Sequence, residues 1–72
     1  MIPGKLYQLT DGELSLYKNK HYPHHYCGLL PTNEIILLLE VDKTYDGTEV
    51  KILSSLGNVY WAVCNTINLK EL

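Results

Sequence analysis

The residues whose types could carry chemistry are concentrated in one stretch, Tyr17–Cys27, with the sequence YKNKHYPHHYC. It holds all three histidines of the chain, three of its six tyrosines, one of its two cysteines and two lysines. Imidazole and thiolate groups bind zinc, and a thiolate beside an imidazole is a pair used in nucleophilic catalysis. Tyrosine rings instead offer rigid surfaces to a protein partner or to stacked nucleic-acid bases.

Metal binding and catalysis have the weaker support. A metal would draw on His21, His24, His25 and Cys27, with Cys64 as a further sulfur ligand. Structural zinc sites usually take two separated pairs of ligands, which a single cluster does not supply. A catalytic thiolate needs an oriented base, and no carboxylate lies in residues 14–33 to orient an imidazole. We therefore expect no metal, no other cofactor and no enzymatic activity.

Two binding functions remain for this stretch. Tyrosine and histidine give a loop a large, amphipathic contact area at low entropic cost, which favours recognition of a protein partner. The alternative is single-stranded nucleic acid, with bases stacked on tyrosines and with Lys18 and Lys20 near the phosphates. The net charge of −2 makes the protein partner the stronger prediction. The predicted contact residues are Tyr17, Tyr22, His24, His25 and Tyr26, with Tyr7 and Tyr60 as additional rim residues.

Length and composition indicate one small domain spanning residues 1–72. A chain of this size has a thin core and seldom encloses a large pocket. Its longest apolar run, Ile35–Leu39, is far shorter than the ~20 residues that a membrane-spanning helix needs. With no export signal evident, we expect a cytoplasmic protein with two reduced cysteines that does not bind a membrane.

Alternating apolar residues predict strands and almost no helix. The clearest pattern is Glu49–Val63, two strands joined by a turn at Ser55-Leu56-Gly57-Asn58. Its second strand places Val59, Trp61 and Val63 on one face, and these neighbours favour a core position for Trp61 over a ligand-facing one. The longest strand is expected at Ile35–Asp42, and shorter strands at Lys5–Leu9, Leu14–Tyr17 and Ile67–Leu72. A turn is expected at Asp11-Gly12, and a long loop over Lys18–Asn33 that contains one extended piece at Tyr26–Leu30.

This order of strands resembles the SH3-like small barrel. Lys5-Leu6-Tyr7 matches the first aromatic motif of SH3 domains, Val59–Val63 the strand after their distal turn, and Asn65-Thr66-Ile67 their 3₁₀ turn. The resemblance implies an all-β, five-stranded SH3-like barrel with a long early loop. Peptide-binding SH3 domains also carry an acidic first loop, an adjacent pair of tryptophans and a proline before the 3₁₀ turn. None of these is clear here, so the resemblance concerns the fold rather than a proline-rich ligand.

Two further expectations concern the partner. The segments GKLY, ILLLE and VKILSSLGNVYW resemble small accessory proteins of tailed bacteriophages, which implies a host protein as the partner. Ile35–Leu39 also has more apolar residues than one face of a strand requires. An exposed apolar strand favours self-association, so a homo-oligomer is the other expected assembly.

The three histidines generate a pH prediction. An unperturbed imidazole gains its charge as the pH falls through about 6.5, so a contact made by these side chains should change in affinity near that pH. Titration calorimetry with the partner between about pH 5.5 and 8 measures this directly. An affinity that stays constant over that range would contradict a role for the imidazoles at the interface.

Overall fold

A computed structural model describes residues 1–20, 25–44, 47–64 and 68–72. The regular structure in these ranges is β-strand, apart from a single residue of 3₁₀ geometry at Asn68. The strands are β1 (Leu6–Leu9), β2 (Leu14–Tyr17), β3 (Tyr26–Leu30), β4 (Ile35–Thr44), β5 (Gly47–Leu53), β6 (Val59–Cys64) and β7 (Leu69–Glu71). The all-β class predicted from the alternating pattern is confirmed.

All seven strands form one antiparallel sheet in the order β3-β2-β6-β5-β4-β1-β7. Within the described ranges β3 and β7 are its two edges and do not pair with each other, so the sheet is not closed into a barrel. The five-stranded barrel expected from the sequence is therefore not confirmed. The strand expected at Leu14–Tyr17 is β2, and the extended piece expected at Tyr26–Leu30 within the long loop is β3. The two pair as an antiparallel hairpin, which the sequence did not predict.

Strand β4 links the two halves of the sheet. Its first part pairs with β1, from Leu37 opposite Leu6 to Ile35 opposite Gln8, and the segment from Leu37 to Thr44 pairs with β5. The register with β5 shifts between Leu38 and Glu40. Such a bulge bends a strand and increases its twist. The bulge follows the segment of β4 that pairs with β1, so β4 bends after that segment.

One face of the sheet carries the core. Its least exposed large side chains are Leu9, Ile36, Leu38, Val50 and Ile52, each 0–1% exposed. Leu14 and Leu16 of β2, Leu30 of β3, Ala62 of β6 and Leu69 of β7 complete it, with Tyr7 of β1. Because every strand contributes to this cluster, the sheet curls around its inner face, and the other face is the outer one.

The turn between β5 and β6 decides which side chains of β6 reach that core. Five residues, 54–58, lie between the closing pair Leu53 and Val59, where the sequence predicted a turn of four. A change of one residue in register moves every side chain to the opposite face. Val50 and Ile52 therefore pair with Ala62 and Tyr60 on the inner face. The core position expected for Val59, Trp61 and Val63 is wrong, because this register places all three on the outer face.

The turn chemistry itself is as expected. Ser54 N–H donates to the Asn58 carbonyl (2.8 Å), and Gly57 N–H donates to the Ser54 carbonyl (3.0 Å). Gly57 has φ +88°, a left-handed conformation that glycine adopts without strain. Gly12 has φ +71° in the predicted Asp11-Gly12 turn. That turn separates β1 from β2, which pair with different neighbours.

Tyr7 is a core residue rather than the rim residue that the sequence suggested. It is 3% exposed. Its hydroxyl accepts a hydrogen bond from the Ile2 backbone N–H (2.7 Å) and donates to Glu71 Oε1 (3.3 Å). A buried phenol needs such partners for its polar end. The ring therefore joins the N-terminal segment to β7 and is not available to a partner.

No helix among the described residues has the length and apolar character needed to cross a bilayer.

Two neighbouring isoleucines of β4 test which face is inside. Ile36 is 1% exposed and Ile35 is 43% exposed. Ile36→Ala should lower the free energy of unfolding by about 2–5 kcal/mol, because it removes packed methyl groups from the core. Ile35→Ala, the same substitution on the outer face, should change it by only about 0.5 kcal/mol. Urea unfolding followed by circular dichroism measures both values, and equal losses would contradict the assignment of the faces.

Candidate functional site

Three aromatic side chains lie side by side on the outer face of the sheet. Tyr26 of β3 is paired in register with Tyr17 of β2, and Tyr17 with Trp61 of β6. Residues directly opposite each other in antiparallel strands share a face. We call Tyr26, Tyr17 and Trp61 the aromatic row. Tyr26 is 58% exposed, and the other two are half-buried, so the row presents ring surface to solvent.

The rings of the row are held by one another and by a lysine. Tyr17 and Tyr26 meet edge to face, with ring centroids 5.7 Å apart and planes at 65°. Such an arrangement is favoured by the aromatic quadrupole and restricts both rings. Lys20 places Nζ 5.3 Å from the centre of the Trp61 ring, within the range of a cation–π contact. The row is therefore a partly ordered surface before any partner binds.

Acidic side chains neutralise the lysines beside the row. Lys20 forms an ion pair with Asp42, and Lys51 Nζ lies 3.4 Å from Glu40 Oε2. The pKa of Lys20 is raised above its usual value, chiefly by its hydrogen bond to Asp42, and the charges of Asp42, Glu49 and Glu40 add to the effect. Its ammonium group therefore stays charged throughout the neutral range. The surface near Trp61 carries both signs of charge rather than a positive field.

A second row on the outer face is apolar. Leu6 pairs with Leu37, Leu37 with Leu53, and Leu53 with Val59, across β1, β4, β5 and β6. Leu6 and Val59 are exposed, and Leu37 and Leu53 are half-buried. We call these four residues the apolar row. Leu37 of this row belongs to the run Ile35–Leu39, which has more apolar residues than one face of a strand requires.

The structure divides the predicted contact residues into separate places. It brings Tyr17 and Tyr26 together in the aromatic row, and Tyr22 and His24 lie outside the described residues. His25 is exposed, and its carbonyl accepts hydrogen bonds from Lys18 N–H (3.0 Å) and Cys27 Sγ (3.3 Å). Tyr7 is in the core, as described above. Tyr60 is half-buried on the inner face, away from the row.

The sequence left Trp61 between two roles and did not identify Lys20 as its neighbour. The sequence could have indicated the outer position of Trp61 only through the length of the β5–β6 turn, because both faces of β6 carry apolar residues. Among the described residues no group of three or more His, Cys, Asp or Glu side chains is arranged to hold a metal ion. His21 and His24, two of the histidines considered for that role, lie outside those residues.

The single tryptophan allows the exposure of the row to be measured. Acrylamide should quench Trp61 fluorescence, because the ring is only half-buried. Lys20→Ala should increase the quenching, because it removes the side chain that covers the ring, whereas Lys5→Ala, at an exposed lysine before β1, should not. Trp61→Ala should lower the free energy of unfolding by less than the ~3–5 kcal/mol typical of a fully buried tryptophan. An unquenched emission would contradict the outer position of Trp61.

Comparison with known proteins adds no relative. No family model matches this chain, and neither a curated protein nor a solved structure matches it.

Proposed function

We propose that this chain is a non-catalytic protein-interaction domain that binds or modulates a partner protein through the aromatic row and the adjoining Tyr/His-rich loop. The observation that carries the proposal is the alignment of Tyr26, Tyr17 and Trp61 on three neighbouring strands. Aromatic side chains with a polar end are enriched at the centres of protein interfaces. The proposed contact residues are Tyr17, Tyr22, His24, His25 and Tyr26, and we add Trp61 because it pairs with Tyr17. No metal or cofactor takes part, and the domain works in the cytoplasm.

The charges beside the row favour a protein over a nucleic acid. A phosphate backbone lying along Trp61 would approach Glu40 and Asp42 as well as Lys20 and Lys51. The ion pairs leave little net positive charge to attract phosphates, whereas mixed charge around aromatic rings suits the rim of a protein interface. Single-stranded nucleic acid is the alternative partner, and the observation in its favour is the stack of Lys20 on Trp61 beside two more rings.

The order of the strands supports an SH3-like arrangement of the fold. When the hairpin of β2 and β3 is set aside, the other five strands form an uninterrupted run, β6-β5-β4-β1-β7. In this run the last strand of the chain pairs with the first. A bend in β4 and the shared core are features by which a small sheet of this kind curls toward a barrel. Of this hairpin, β3 falls within the long early loop expected over Lys18–Asn33, and β2 precedes that loop.

In this proposal the partner is a protein other than this chain. It is a host protein if the likeness to small bacteriophage proteins reflects the origin of this chain. The apolar row supports a second assembly, in which two copies of the chain cover Leu6, Leu37, Leu53 and Val59. That homo-oligomer would use the outer face and compete with a partner bound beside Val59.

Affinity capture with matched variants tests the proposal. The immobilised wild-type chain should retain a partner from extract of the native cell, and Tyr26→Ala or Trp61→Ala should lower its affinity by about tenfold or more, as loss of an aromatic anchor does. Leu72→Ala, at a residue that is exposed outside both rows, is the control and should retain the partner. Retention that is equal for all four proteins would contradict binding through the row.

Salt dependence distinguishes the two classes of partner in the same experiment. Affinity for an oligonucleotide should fall by orders of magnitude between about 50 and 200 mM salt, while an aromatic protein interface should change little. Tight, salt-sensitive binding of oligo(dT) that Trp61→Ala abolishes would replace the protein partner with the nucleic-acid alternative.

A further inference from the structure

The edge strand β3 lacks several protections that sheet edges usually carry. Among the described residues it pairs with β2 on one side and ends the sheet on the other. Alternate residues of such a strand direct backbone N–H and C=O groups away from the sheet. Residues 26–30, YCGLL, contain no charge and no proline, and Tyr26, Cys27 and Leu29 are exposed. The other edge, β7, carries the charged residues Lys70 and Glu71, which disfavour pairing with a further strand.

A groove of about 320 Å³ runs along this edge. It is lined by five consecutive residues, Cys27–Pro31, and by part of the turn between β5 and β6. A cavity against one face of a strand would meet every second residue, because side chains alternate. The lining includes the neighbouring residues Leu29 and Leu30 of β3, so the groove meets this strand on more than its inner face.

The groove is apolar with one acidic group. Leu16, Leu30 and Tyr60 contribute side chains from the inner face, and Leu56 of the turn is 86% exposed beside it. Among the described residues that line it, Glu34 is the one acidic side chain, and Ser55 Oγ donates to its Oε2 at 3.5 Å. The volume lies in the range of small ligand-binding pockets.

We propose that this groove binds an extended, apolar peptide segment of another protein that carries one lysine or arginine. The segment adds to β3 as a further strand, so that its backbone pairs with the open edge. An apolar side chain of the segment packs between Leu56 and the inner-face residues Leu16 and Tyr60. Its basic side chain pairs with Glu34, which gives the charge complementarity that an uncharged strand edge lacks.

The groove is distinct from the aromatic row, although Tyr26 of the row begins the strand β3 that borders the groove. The groove opens beside the inner face and the turn, whereas Tyr17 and Trp61 lie on the outer face and do not line it. The inference therefore goes beyond the proposed function and does not depend on it. Each can fail without the other, because different variants report on them.

Selection from a phage-displayed library of random heptapeptides on the intact chain tests the proposal. We expect enrichment of peptides with alternating apolar residues and one lysine or arginine. For a synthetic peptide of the enriched class, Leu56→Asp should raise the Kd by about tenfold or more, since it places a charge beside the apolar side chain. Leu72→Asp, the same change at an exposed leucine outside the groove, should leave the Kd within about twofold.

Two chemical controls report on how the peptide binds. Backbone N-methylation at one set of alternate peptide positions should abolish binding and at the other set should not, because only one set faces β3. Glu34→Gln should lower the affinity for a peptide that carries lysine, but not the affinity for the analogue in which norleucine replaces that lysine. Thermal unfolding of each variant checks that it remains folded.

Four results would overturn the proposal. They are the absence of enriched peptides, a Kd unaffected by Leu56→Asp in the folded protein, tolerance of N-methylation at every position, and loss of binding in Trp61→Ala but not in Leu56→Asp. Light scattering adds a fifth. A dimer that Leu56→Asp dissociates would mean that a second copy of this chain occupies the groove instead.

Discussion

The pairing of Val50 with Ala62 and of Ile52 with Tyr60 is the constraint on which the rest of the structure depends. It is set by the five-residue turn between β5 and β6, and it assigns every side chain of the central hairpin to a face. Val50 and Ile52 are buried as a result, and Trp61 is placed on the outer face beside Tyr17. A turn shorter by one residue would bury Trp61 and expose Tyr60. The core and the aromatic row are thus two consequences of one register.

Separating the faces in this way gives the sheet two kinds of surface. The inner face is closed by side chains from all seven strands, and a groove remains where β3 and the β5–β6 turn approach each other. The outer face has no layer of its own packed on it among the described residues, so its apolar and aromatic side chains remain partly in solvent. A single curled sheet of this length has too little chain to cover both faces. The aromatic row and the exposed ends of the apolar row are accordingly accessible to a partner on this face.

Charge pairing keeps that outer face ordered without making it strongly basic. Lys20 contacts Trp61 and Asp42 at the same time, so one side chain links the hairpin β2–β3 to the ring and to β4. Because the pKa of Lys20 is higher in the folded protein than its usual value, the pair contributes stability below the unfolded-state pKa of about 10.4. That contribution is lost as the pH rises through the raised value. Exposure to solvent keeps the effect small, so the pair positions the ring more than it stabilises the fold.

The sequence by itself determined the all-β class, the approximate positions of most strands, the turn at Asp11-Gly12, the location but not the length of the turn near Ser55–Asn58, and the concentration of tyrosine and histidine between Tyr17 and Cys27. These features depend on local alternation and on turn chemistry, which neighbouring residues specify. Only the tertiary structure decided that Tyr7 is buried, that Trp61 joins Tyr17 and Tyr26 on the outer face, and that Leu56 lines the same groove as β3. Such relations depend on register and on contacts between residues far apart in the chain. A strand with apolar residues on both faces does not reveal which face is inside until its partner strand is known.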